Sequence, residues 1–267
     1  MDATLTAVAA LWGAVTGPLL PRAAYRFSVE PEEPWRDACP AGHALTGPGR
    51  GWLGSTRCAD CAAAVPALRG SKGPEPAADE SPGAARHRYA PALLAPVVTV
   101  LACVALAAAT GLRPELAVWL LLAPVAVLLA VIDRRVHRLP DRLTLPLAGA
   151  AALLLGGAAL LPEHGGSWTS ALLGGAALGG FYLLLFLINP NGMGFGDVKL
   201  ALALGVALGW YGWAVLCAGG FAGFLFGALY GFGLVLLRRA GRRTGIPFGP
   251  FMIAGALVGL LFGGLAA

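Results

Sequence analysis

The sequence predicts an all-α polytopic membrane protein, with about eight transmembrane helices and a small cytoplasmic insert of zinc-binding type. Three observations predict it. Of 267 residues, 57% are apolar and only 12% charged, about half the charge of an ordinary soluble domain. Eight apolar stretches approach the ~20 residues needed to cross a bilayer. The basic residues are confined to alternate connections. Glycine and proline are abundant, at 39 and 20, but without the short repeat of a collagen-like or low-complexity chain. Such high hydrophobicity also excludes a disordered chain.

The spans follow in order. The first covers Ala3–Leu20, the second Pro91–Leu112, the third Leu116–Ile132 and the fourth Leu143–Leu161. The fifth covers Trp168–Ile188, the sixth Val198–Trp210, the seventh Trp213–Leu237 and the eighth Phe248–Leu265. The sixth is short, and only Tyr211 and Gly212 separate it from the seventh. Together they are too long for one crossing, which predicts a tight hairpin. The first stretch begins Met1-Asp2, acidic where a signal peptide needs basic residues. Residues 1–20 therefore read as a retained helix, with Arg22 and Arg26 at its cytoplasmic end.

With the N-terminus outside, the inner segments 21–90, 133–142, 189–199 and 238–247 carry nine, four, one and four Lys and Arg. That leaves only Arg113 outside, among 19 basic residues. Positive residues on the cytoplasmic side orient membrane proteins in this way. The net charge of +5 then reports orientation and contact with anionic lipid, and nucleic acid is not an expected partner.

The cytoplasmic insert, residues 21–90, divides in two. Residues 71–88, rich in Pro, Ala and charge, read as a flexible linker. Residues 35–70 hold Cys39, His43, Cys58 and Cys61. Two pairs of soft ligands suit tetrahedral zinc, with Pro40 and Gly42 turning the first pair inward. Four protein ligands leave no open position, so a metal here is structural. It supplies folding energy that so small a region lacks. Cys103 and Cys217 lie inside apolar spans and read as small buried residues.

From residue 91 onward, in the membrane-embedded part 91–267, there are five carboxylates. Glu115 and Glu163 fall in outer loops and read as surface charges. Asp133, Asp141 and Asp197 map to the cytoplasmic side. Asp133 ends the third span and Asp197 begins the sixth, so the topology brings two distant acids to one depth. Acids at such positions mark function more often than architecture. Paired carboxylates share one proton, leaving one acid and one base, as peptide hydrolysis requires. Taken alone, Asp133 also reads as a juxtamembrane charge paired with Arg134 or Arg135, and Asp197 as a helix N-terminal acid. Asp141 follows Pro140 and reads as a helix start. Gly192, Gly194 and Gly196 allow unusual backbone beside Asp197 and leave room for a substrate strand.

Gly194-Phe195-Gly196-Asp197-Val198-Lys199-Leu200 resembles the Gly-x-Gly-Asp motif of the type IV prepilin peptidases. Ile132-Asp133 with Leu139-Pro140-Asp141-Arg142-Leu143-Thr144-Leu145-Pro146 is similar to that family's first-aspartate region. Ile246-Pro247-Phe248-Gly249-Pro250-Phe251 resembles its last-helix motif. The resemblance, over about residues 95–260, implies a bacterial inner-membrane aspartic endopeptidase with Asp133 and Asp197 as the catalytic pair. It implies cleavage of the basic leader of a single-pass prepilin or pseudopilin precursor, at the cytoplasmic face, just after a glycine. Methylation of the new N-terminus is implied only if the chain retains that activity, with S-adenosylmethionine as its cofactor. The family's insert commonly has two Cys-x2-Cys pairs, whereas here the first is Cys39-x3-His43. The alternatives are a small proton- or cation-coupled transporter using the same aspartates, and a scaffold presenting the zinc module. The sequence leaves the oligomeric state open.

Overall fold

In the computed structural model, residues 3–30, 32–54, 56–63, 93–190, 192–237 and 246–267 are described. The linker 71–88 lies outside them. The first span is α1 (Ala3–Thr16), a 3-10 turn (Gly17–Leu19) and α2 (Leu20–Phe27). Among the described residues a four-residue turn of helix (Pro48–Gly51) and seven long helices follow: α3 (Leu94–Thr110), α4 (Glu115–Val136), α5 (Asp141–Ala158), α6 (Trp168–Ile188), α7 (Phe195–Trp210), α8 (Trp213–Leu236) and α9 (Gly249–Ala266). The protein is thus an all-helical integral membrane protein. Five elements, α1–α2, α4, α6, α8 and α9, are long and apolar enough to cross a membrane.

The sixth span is short because it is shielded by protein. Val198, Leu200, Ala201 and every residue from Ala203 to Trp210 are buried, and α5, α6, α8 and α9 all pack on α7. The predicted hairpin is present: α7 and α8 meet at Tyr211 and at Gly212, whose φ is +102°.

Lipid tails are as apolar as leucine, so helices in a bilayer gain by close backbone approach at small residues. Gly174 of α6 lies against Gly205 and Gly209 of α7, where a Cβ would stand 2.7 Å from the Gly205 carbonyl oxygen. On the other side, Gly255 of α9 faces Gly219 and Gly223 of α8. Gly13 of α1 packs on α3, where a Cβ would come within 2.7 Å of Val100 Cα.

Two expectations are corrected. Glu115 is not a surface charge: it is fully buried at the start of α4. Its Oε1 accepts from Gly165 N at 3.0 Å and from the Tyr211 hydroxyl at 3.5 Å, while Trp119 Nε1 donates to the same hydroxyl at 3.2 Å. Hydropathy could not show this, because the partners come from the 163–167 loop and the α7–α8 turn. Glu163 is exposed, as expected. Cys103 is buried, but Cys217 is exposed on the outside of α8, where a thiol is apolar enough to face lipid.

Candidate active site and metal module

The site is assembled where α4 ends and α7 and α9 begin. Helix α4 stops at His137, in the left-handed conformation at φ +50°, with its N–H bonded to the Asp133 carbonyl at 2.8 Å. The chain then runs through buried Leu139 and extended Pro140 into α5. Gly196, in the first turn of α7, lies on this connection: a Cβ there would stand 2.9 Å from Leu139 Cβ and 3.3 Å from its carbonyl oxygen. Gly196 therefore lets α7 seat directly on the α4–α5 loop. The space expected for a substrate strand beside it is filled by the chain's own Leu139.

Asp133 and Asp197 are brought together as the sequence predicts. Both are buried, at 4% and 8% exposure, and Asp197 lies within range of the Asp133 charge. Asp133 is not paired with Arg134 or Arg135. Its Oδ2 accepts from Gly249 N at 2.9 Å, at the first residue of α9. A Cβ on Gly249 would come within 2.8 Å of that oxygen, so a larger residue here would press on the carboxylate. Asp197 Oδ2 accepts from Gly194 N at 3.3 Å, the bond of an acid in the first turn of a helix. The helix-start reading of Asp197 and its placement beside Asp133 thus hold together. Asp141 points elsewhere: its Oδ2 pairs with Lys199 Nζ at 2.6 Å, with Asp141 61% exposed.

Sequence reasoning missed two neighbours. Tyr182 of α6 is almost fully buried, within electrostatic reach of Asp197. Its ring stacks on Phe224 at 5.4 Å and meets Phe248, just before Gly249, at 6.2 Å. Lys199 was visible in the motif, but its partner Asp141 is 58 residues away in sequence.

The metal module docks on the same end of the bundle. Arg22 Nη2 and Nη1 donate to Thr46 O at 2.6 Å and Leu53 O at 3.2 Å; Arg26 Nη1 donates to Arg50 O at 3.0 Å. The two arginines are buried clamps instead of free basic flanks. Phe27, Trp35 and Trp52 pack as an aromatic trio, and Arg142 of α5 lies over the Trp35 ring at 4.8 Å.

In the module an antiparallel bridge joins Ala38 and Ala44, with Gly42 at φ +86° turning the loop. The ligand atoms of Cys39, His43, Cys58 and Cys61 all lie within 4.8 Å of one another. Cys39 Sγ is 3.7 Å from Cys61 Sγ, and His43 Nδ1 is 3.6, 3.3 and 3.7 Å from the sulfurs of Cys39, Cys61 and Cys58. A zinc tetrahedron with ordinary bond lengths has S–S edges of about 3.8 Å and S–N edges of about 3.6 Å. The cluster fits zinc. Burial pushes the Cys39 thiol up, but backbone bonds at Ala41 and His43 and the side chains of His43 and Cys61 outweigh it and bring it to about 7. Burial, then Cys58 and Cys39, push Cys61 up to about 12. One thiolate shared among neighbouring thiols is a donor set ready for a cation.

The sequence pattern of the type IV leader peptidase family matches residues 120–263, which include Asp133, Asp197 and Gly249. A prepilin leader peptidase/N-methyltransferase of Aeromonas salmonicida strain A449 is 37% identical over 145 residues, 54% of this chain and 48% of that protein. A protein of the same name from Bacillus subtilis strain 168 is 33% identical over 171 residues, 61% of this chain and 64% of that one. A third, from Pseudomonas aeruginosa, is 33% identical over 135 residues, 51% of this chain and 46% of that one. The chain spans about half the length of most of these relatives. No solved structure matches it.

Proposed function

Because the chain belongs to the type IV leader peptidase family, we propose that it is a membrane aspartic endopeptidase with Asp133 and Asp197 as its catalytic pair. Its substrate on this reading is the leader of a single-pass prepilin or pseudopilin precursor, cut just after a glycine. The observation that carries the proposal is the meeting of two buried acids at the facing ends of α4 and α7. The pair holds one proton between them. The ionised carboxylate takes a proton from water as its oxygen attacks the scissile carbonyl. The protonated partner donates to the developing oxyanion, and on collapse a proton passes to the leaving amine. The Gly249 and Gly194 N–H groups fix the two carboxylates.

The proposed organisation is a first helix over 1–20, an insert over 21–90 with its metal module at 35–70, and the peptidase domain over 91–267. The N-terminus is outside, and the insert and acid pair face the cytoplasm of a bacterial inner membrane; the basic loops support this orientation. Cys39, His43, Cys58 and Cys61 would hold a structural zinc, which folds the module and takes no part in hydrolysis. Methyl transfer from S-adenosylmethionine enters this reading solely through the relatives' printed name. Incubating cleaved product with methyl-labelled S-adenosylmethionine tests it. The family match gives no support to the transporter alternative.

The test is cleavage of a prepilin-type precursor in membranes at matched protein levels. Asp133→Asn and Asp197→Asn are expected to lose roughly 10²–10⁴-fold in rate, the usual contribution of a general acid or base. Asp141→Asn is expected to remain largely active, because its partly exposed ion pair contributes at most about 1 kcal/mol. Normal cleavage by either of the first two sinks the proposal.

A further inference from the structure

Beside the acid pair, and separate from it, an apolar cleft of about 630 Å³ runs between α3, α4 and α9. It reaches from Trp119 near one end of α4 to Arg134 and Arg135 near the other, roughly 24 Å at 1.5 Å per residue. Between these ends the α4 wall is mostly small, with Ala123, Ala126 and Ala130. The cleft's volume falls in the range of small-ligand sites.

Its mouth carries positive charge, from Arg134 and Arg135. Among the described residues the one ion pair is Lys199–Asp141, so neither Arg134 nor Arg135 has a carboxylate within salt-bridge distance. Arg36 from the insert adds a third positive charge within range of Arg135. A slender apolar channel ending in paired cations at the edge of the membrane-spanning region matches an amphiphile with an anionic head.

We propose that this cleft binds one anionic phospholipid, with an acyl chain along α4 and its phosphate on Arg134 and Arg135. The inference does not depend on the peptidase reading. A lipid seated there lies against Pro250, next to the Gly249 that holds Asp133.

Native mass spectrometry of the full chain in dodecylmaltoside, titrated with phosphatidylglycerol or phosphatidylcholine, tests it. One phosphatidylglycerol per chain is expected to survive activation that strips phosphatidylcholine. Arg134→Gln with Arg135→Gln should weaken its retention at least about tenfold. The charge-keeping Lys pair should retain it, and so should Arg142→Gln, whose cation lies outside the cleft. Ala130→Trp should expel the lipid with both arginines intact. An unchanged circular dichroism melt shows that each variant is folded. Equal retention of the two lipids overturns the proposal, as does undiminished phosphatidylglycerol in the Gln pair. Displacement of the lipid by an equimolar single-span apolar peptide also overturns it, since the cleft would then be a helix site.

Discussion

At the residue scale, the site depends on places where a side chain is missing. Gly249 lets a backbone N–H reach Asp133 Oδ2 at 2.9 Å, and a methyl group there would enter the space of that oxygen. Gly249→Ala is therefore expected to push the carboxylate off its position and lower the cleavage rate about 10²-fold, the cost of a displacement near 1 Å. Thermal unfolding should change little beside that loss, and an equal loss of fold would show a merely structural role. The two acids were legible in the sequence because charge is so rare in apolar spans. The Gly249 contact was not, since it joins residues 116 apart and no local pattern encodes it. Glu115 was misread for the same reason: its hydrogen-bond partners come from elements distant in sequence.

At the element scale, the helices and their order were readable from apolar length alone. What length could not reveal is which helix is central. Helix α7 is the shortest of the later spans, and its glycines set it against α6. Gly205→Leu should force α6 and α7 apart at a cost on the order of 1–3 kcal/mol, seen as a lower melting temperature in detergent. The same change at Gly149, which has nothing near its Cβ position, should be close to neutral. The metal module was legible because its ligand spacing is local. Purified protein is expected to carry one zinc by elemental analysis. Cys58→Ser or prolonged chelation should remove it and expose the module to protease, while the bundle stays intact. Loading should also weaken as pH falls, because protons compete with the metal for the thiolates and the imidazole. Full ligand-site occupancy by zinc in a Cys39→Ser, Cys58→Ser double variant would refute this assignment.

At the scale of the whole molecule, the protein is polar at its two ends for different reasons. One end gathers the acid pair, the Lys199–Asp141 bridge and the metal module on Arg22 and Arg26. The other gathers Glu115, Tyr211 and the Gly165 loop. Among the described residues, the positive ones belong almost wholly to the first end, which should face the cytoplasm. A protease site placed within 71–88 should be cut in inverted membrane vesicles and protected in sealed spheroplasts. A site at Glu163 should behave in the opposite way. The reverse pattern would invert the orientation while leaving the fold untouched.

The two ends share one rod. Glu115 and Asp133 are eighteen positions apart on α4, five whole turns, so both acids leave the helix at the same compass bearing. Each is gripped where it emerges, one by Gly165 N and Tyr211, the other by Gly249 N. A shaft pinned at two points along one meridian cannot spin, and it cannot slide without releasing a pin. One residue inserted between the pins would turn them about 100° out of phase, although the hydrophobic length would hardly change. The aim of Asp133 is thus tied to contacts at the opposite end of α4.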